Sequence, residues 1–287
     1  MEVRLMEPMC RHTSFRTGGP ADWFVIPDTP EELAAALAVC KKTDTPWYIL
    51  GNGTNLLVGD RGIRGAVFSM ERFDRMEVSG TRIRAGAGLL LSRLANGAFK
   101  EGLSGLEFAA GIPGSVGGAA VMNAGAYGSE IKNCLVSAAA LDPEGRVRTY
   151  KAEELSLGYR TSRFLTSGEI VLEAEFSLER GKKEEIQARM EELSRKRREK
   201  QPLEYPSAGS TFKRPEGYFA GQLIEEAGLK GFSVGGASVS EKHAGFVINR
   251  ERATSADILS LCREVQARVD GRFGVKLELE VRLLGEF

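Results

Sequence analysis

Between Gly102 and Gly128 the chain reads GLSGLEFAAGIPGSVGGAAVMNAGAYG. Fourteen of these 27 residues are Gly or Ala, and none is Lys or Arg. A surface loop would carry more charge, and an ordinary core segment more bulk. Backbone this bare suits close approach to a large ligand, because Gly has no Cβ and reaches positive φ. Its N–H groups can also line an anion-binding concavity. A second bare segment lies upstream. The apolar run Trp47-Tyr48-Ile49-Leu50 feeds Gly51-Asn52-Gly53-Thr54-Asn55 and leaves on Leu56-Leu57-Val58. Alone, that segment reads equally as a tight hairpin or a phosphate loop. Two such segments in one chain point to a shared dinucleotide site.

A Rossmann fingerprint is not the source of that site. G-x-G-x-x-G between a strand and a helix is required. Gly51-Asn52-Gly53 is followed by Leu56 at the third glycine position, and Gly86-Ala87-Gly88 by Leu91. No G-x-x-x-x-G-K-[ST] loop occurs either. Any dinucleotide is therefore expected on another fold.

The 287 residues suffice for two domains on a prior of ~150 each. With 39 basic and 39 acidic side chains the net charge is zero, which steers the chain toward neither nucleic acid nor an anionic membrane. The apolar runs are too short to span a bilayer. The start, MEVRLMEPMCRHT, has no sustained apolar core, so a cytoplasmic location is expected. Cys10, Cys40, Cys134 and Cys262 are widely spaced, and the only histidines are His12 and His243. That inventory argues against a metal site, a disulfide framework and a Ser-His-Asp triad.

Local signals alternate between helix and strand without a clean parallel repeat, so the expected class is α+β. Thr29-Pro30-Glu31-Glu32 reads as a helix start. Strands are expected at 47–50, 66–69, 75–78 and 81–85, and a helix from Leu89 to about Lys100. A hairpin over 134–141 and 145–150 turns at Asp142-Pro143-Glu144-Gly145, and a strand covers Glu169 to Leu178. Residues 181–200 are charged and helical in period, and on composition they mark the domain boundary. Beyond it a helix is expected at Tyr218–Ala227, a short strand at Phe246–Ile248, a helix from Thr254 to about Arg272, and a last strand at Val275–Leu284.

Seven segments, in order, carry a family resemblance. They are His12–Asp22; Gly51–Asn55; Gly105–Gly128; Gly158-Tyr159-Arg160-Thr161-Ser162-Arg163-Phe164; Lys200-Gln201-Pro202 with Ser207–Pro215; Val239–Asn249; and Leu277-Glu278-Leu279-Glu280-Val281-Arg282. Together they resemble the UDP-N-acetylenolpyruvoylglucosamine reductase family of peptidoglycan precursor synthesis, hence of cell wall biogenesis, cell shape and cell division. The resemblance implies a vanillyl-alcohol-oxidase-type FAD-binding domain of two α+β subdomains over 1–180. It also implies a connecting helix at 181–200 and a smaller α+β substrate-binding domain over 201–287. NADPH would pass a hydride to non-covalent FAD, which would deliver it to the enolpyruvyl group of the UDP-sugar to give UDP-N-acetylmuramate. The partners implied are the UDP-sugar and NADPH, with no nucleic acid, no membrane insertion and a monomeric state.

The same resemblance assigns residues. Arg160 is the carboxylate-binding arginine, Glu280 the carboxyl that helps polarise the enolpyruvyl group, and Ser210 the proton donor. FAD contacts fall on Gly51, Asn52, Gly53, Thr54, Asn55 and Leu56, then on Ile112, Pro113, Gly114, Ser115, Gly117 and Gly118, and on Gly125. Lys200, Arg214 and Asn123 are placed on the substrate, with Lys213 and His243 as weaker candidates. Without the motifs around them, Arg160 reads as a turn arginine, Ser210 as a loop serine and Glu280 as an exposed strand carboxylate. Leu279 stands where the family usually has Pro, and Thr54 where Ser is usual. Only 39 residues separate Arg160 from Lys200, so the chain resembles the shorter branch, without a tyrosine lid loop. Another flavin oxidoreductase and a non-catalytic nucleotide-binding module are the alternatives. An acyl hydrolase on Ser115 is set aside because Pro113 breaks G-x-S-x-G.

Overall fold

The computed structural model describes residues 1–287. The chain forms two compact units. One comprises Met1–Arg4, Phe24–Asn52 and Ala66–Arg197, the other Leu5–Trp23, Gly53–Gly65 and Arg198–Phe287. The class is α+β, as the sequence implies: most ladders are antiparallel, and parallel pairs join Trp47–Leu50 to Ile63–Ser69 and Arg282–Leu284 to Leu56–Val58.

The first unit is built on a five-stranded antiparallel sheet. Its order is Val147–Lys151, Leu135–Leu141, Ile170–Ser177, Arg82–Gly86, Met76–Ser79. The central strand buries Leu172, Ala174 and Phe176 while Glu173 and Glu175 stay half-exposed, the period-two pattern of a sheet with one covered face. Helix α1, Pro30–Lys42, starts where the sequence predicts. Thr29 accepts from the Glu32 N–H, and Pro30 costs no helical hydrogen bond at the first position. Helix α2, Leu91–Lys100, begins two residues later than expected, because Leu89 closes a turn on Gly86 and Leu90 bridges to Ser115.

Helix α3, Val116–Met122, is the main departure from the sequence reading, which assigns no helix there. Ser115 caps it, and it packs on the strand Ile170–Ser177. Val116 and Gly117 donate their N–H groups to Leu89 and Ala87, each at 2.8 Å. A Cβ on Gly117 would lie 2.8 Å from the Ala87 Cβ, so only glycine lets this helix dock so tightly. Helix α4, Lys183–Lys200, follows the predicted charged period and buries little beyond Ile186 and Leu193.

The second unit packs helix α6, Ser255–Phe273, on a three-stranded antiparallel sheet of Ser233–Val234, Ala237–Val239 and Val247–Asn249. Ile258, Leu261, Cys262, Val265 and Val269 form its buried stripe. At ~1.5–3 kcal/mol for each large aliphatic side chain, this stripe is a main source of the unit's stability. The Thr254–Asp257 capping box opens α6, and the Asp60 carboxylate accepts from the Ser255 and Ala256 N–H groups at 2.8 and 2.9 Å. Helix α5, Ala220–Glu226, packs against α6.

The last strand is shorter than predicted. Arg282–Leu284 pairs parallel with Leu56–Val58, whereas 275–281 makes only the isolated Phe212–Leu279 bridge. The Leu277 carbonyl is taken instead by the Gln266 side chain of α6.

Candidate active site

In the first unit the two bare segments meet. Asn52 donates its side-chain amide to the Pro113 carbonyl, and a Cβ on Gly51 would sit 2.5 Å from the Ser115 Oγ. Segments some sixty residues apart thus touch through the Asn52 amide and the bare Gly51 position. Not every expected FAD contact keeps its N–H: Gly117 spends it on Ala87, and Gly118 points its own at the Ser115 hydroxyl at 3.4 Å. By contrast, no protein group accepts from the N–H groups of Gly51, Asn52, Gly53, Thr54 or Asn55. Of this run only Gly53 is buried; the other N–H groups are open to solvent or to an external acceptor. Ile112 donates back to Ala109 and so shapes the turn that presents Pro113 and Gly114.

Arg160 occupies the third position of the Gly158–Thr161 turn, closed by hydrogen bonds of 3.1 and 3.3 Å. Its φ is +53°, a region that costs a non-glycine residue about 1–2 kcal/mol. Such strain persists only where surroundings enforce it. The enforcing group is Asn123, itself left-handed at φ +42°. Its amide donates to the Gly158 carbonyl at 3.0 Å and to Glu130 at 2.7 Å, and its oxygen accepts from the Lys132 N–H at 2.9 Å. Asn123 is 0 % exposed. Every side-chain polar group of Asn123 is engaged by protein, and it anchors the turn that carries Arg160. Arg160 also reaches the Gly125 carbonyl at 3.4 Å and lies 5.2 Å from the Tyr159 ring.

The second unit gathers the remaining residues. The segment around Ser210 is clamped on both sides. Asn249 donates to Pro206 and Thr211 to Gly245, while the Thr211 hydroxyl takes the Val247 N–H at 2.9 Å. On its other edge Glu280 donates to the Thr211 carbonyl at 2.9 Å and Lys213 to Glu278 at 2.8 Å. Gly209, at φ +76°, makes the turn before Ser210, whose side chain stays exposed while Thr211 is buried. Asn55 joins the same group. Its amide donates to the Glu280 carbonyl at 3.2 Å, and its own carbonyl accepts from the Arg282 N–H. Ser210, Glu280 and the end of the 51–55 turn are thereby tied together through backbone. Gly53, at φ +61°, could not carry a side chain, since a Cβ would lie 1.8 Å from the His12 carbonyl oxygen.

Lys200 ends α4 fully on the surface. Arg214 lies over the Phe219 ring at 4.5 Å, and Lys213 pairs with Glu278 at 3.0 Å. His243 accepts the Gly245 N–H on its Nδ1 and packs edge-on against Phe246. Burial pushes its pKa below the ordinary value, which favours the neutral imidazole. Ser14 and Thr17, in the His12–Asp22 segment, have buried hydroxyls with no protein partner.

Residues 201–284 match the UDP-N-acetylenolpyruvoylglucosamine reductase C-terminal domain, and residues 21–151 an FAD binding domain. The UDP-N-acetylenolpyruvoylglucosamine reductase of Clostridium novyi (strain NT) is 52% identical over 278 residues, 97% of this chain and 91% of that protein. The chain belongs to the UDP-N-acetylenolpyruvoylglucosamine reductase family. The reductase of Lachnoclostridium phytofermentans is 53% identical over 289 residues. Among solved structures, the reductase of Thermus caldophilus superposes with a TM-score of 0.85 at 39% identity, covering 99% of this chain and 98% of that one.

Proposed function

We propose that Arg160, Ser210 and Glu280 carry the reduction of UDP-N-acetylglucosamine enolpyruvate to UDP-N-acetylmuramate, with NADPH as reductant. The chain is an FAD-dependent oxidoreductase of cell wall synthesis. The carrying observation is the run of unpaired N–H groups at 51–55, with Gly51 and Asn52 against the 113–115 loop. In the first unit, the bare backbone of Gly51 and Asn52 against the 113–115 loop suits the diphosphate of a dinucleotide. The FAD contacts assigned are Gly51–Leu56, Ile112–Ser115 and Gly125, with Gly117 and Gly118 shaping the loop. When bound, FAD supplies the hydride relay between NADPH and the terminal enolpyruvyl carbon.

The protein's own groups supply charge and a proton. The Arg160 guanidinium binds the substrate carboxylate and remains charged as negative charge grows beside it. The Glu280 carboxyl polarises the same group. Ser210 gives its hydroxyl proton to the adjacent carbon, which balances the hydride added at the terminal one. Lys200 and Arg214 stand as contacts to the substrate diphosphate. The reading extends to a monomeric, cytoplasmic enzyme; no helix is long and apolar enough to cross a membrane.

The test is NADPH oxidation by FAD-loaded protein with and without the enolpyruvyl UDP-sugar. Oxidation that depends on the sugar, mole for mole, is the expected result. Flavin reduction indifferent to the sugar moves the chain to another flavoenzyme activity.

A further inference from the structure

The geometry points to Arg197 as a phosphate-binding residue that no motif assigns: its guanidinium is half-buried against Gly111, makes no ion pair, and is placed to take a phosphate group of a bound nucleotide. This inference rests on the nucleotide-dependent reading above. Helix α4 ends in Arg195-Lys196-Arg197-Arg198-Glu199-Lys200. Its neighbours on the helix are committed. Lys196 and Arg189 both pair with Glu192, at 2.5 and 2.6 Å. Arg197, one residue on from Lys196, is rotated by about 100° around the helix and faces away from that pair.

Its side chain lies on the start of the glycine loop. A Cβ on Gly111 would meet the Arg197 Cδ at 3.3 Å and the Nη1 at 3.4 Å, so the bare position makes the room. Five N–H donors are thus partly withdrawn from water with no protein acceptor. Burial lowers the guanidinium pKa below its usual value. The one charge that raises it is the Tyr127 phenol, and no carboxylate contributes. Partial burial of an unpaired charge opposes folding, and removing it for an apolar group of similar size is neutral or stabilising. A structural arginine would have a partner. One held for a ligand would not, until the ligand arrives. Phosphate is the matching anion, because the guanidinium fork binds it bidentately.

The variants Arg197→Met and Arg197→Lys distinguish the sources of that phosphate. FAD affinity is measured by flavin fluorescence on deflavo-protein. UDP and NADP⁺ affinities are measured by calorimetry on the FAD-loaded protein. The expected result is that Arg197→Met weakens one of these three ligands by roughly tenfold or more. Arg197→Lys should recover part of the loss, and the ligand-free Tm of Arg197→Met should be unchanged or higher. Loss for FAD assigns the cofactor, for UDP the substrate, for NADP⁺ the reductant. Three affinities within about twofold of wild type overturn the inference. So does a fall in ligand-free Tm of several degrees, which would make Arg197 structural. Failure of the wild-type protein to bind FAD at all would instead overturn the nucleotide reading itself.

Discussion

On the proposed reading Ser210 is a weak acid held ready. Its neighbours are fixed by bonds from Thr211 to Gly245, Val247 and Glu280, while its own hydroxyl stays exposed. Rigid backbone on both sides limits the entropy lost when the hydroxyl meets a reacting carbon. Ser210→Ala should leave flavin reduction by NADPH at the wild-type rate and slow reoxidation by the enolpyruvyl sugar by roughly two to four orders of magnitude. Stopped-flow measurement of the two half-reactions checks this, and equal damage to both would sink the proton-donor role. Arg160 illustrates the converse. Its type and neighbours were legible in Gly158-Tyr159-Arg160-Thr161, but its left-handed φ and the Asn123 anchor were not, because both depend on residues more than thirty positions away.

At the scale of elements, capped helices and closed hairpins were the most legible. Thr29-Pro30 and Thr254-Ser255-Ala256-Asp257 start helices for local reasons, and α1 and α6 begin there. The Asp142 turn is equally local. Its carboxylate, 4 % exposed, accepts from the Glu144 and Arg146 N–H groups at 3.0 and 2.8 Å and from the Arg146 and Arg148 side chains at 2.9 and 2.8 Å. Burial acts to raise its pKa, but hydrogen bonds from Arg148 and Arg146 prevail and hold it well below the usual carboxylate range. A depressed native pKa stabilises the fold above the unfolded value of about 3.9, and the contribution fades as pH falls through the native value. Asp142→Asn should therefore lower Tm by several degrees at neutral pH. The gap to wild type should hold down to about pH 5 and narrow below about pH 4. Thermal melts across that range test it; a gap that widens in acid contradicts the ion-pair account. Helix α3 was the illegible element. Val-Gly-Gly-Ala-Ala-Val-Met has low helix propensity, and docking on Ala87 and Leu89 makes it a helix.

Across the whole molecule, a cofactor that binds only the native chain should stabilise it. At free FAD about one hundred times its Kd the gain is about 2.7 kcal/mol, enough to raise Tm by several degrees. Deflavo-protein melted with and without FAD tests this, and a Tm indifferent to FAD argues against a native-state cofactor site. Local patterning and ordered motifs made the α+β class, the family, the FAD dependence and most helix starts readable without coordinates. Periodicity, capping and turn chemistry act over a few residues, so the linear chain carries them. Only tertiary structure decided that Leu5–Trp23 and Gly53–Gly65 fold with the C-terminal part. It also decided that Gly51 meets Ser115, that Asn55 bonds to Glu280, that Asn123 is an anchor, and that Arg197 is left without a partner. Those facts rest on contacts between distant residues, and a chain read along its length has no record of which of its bare or charged positions will be brought face to face.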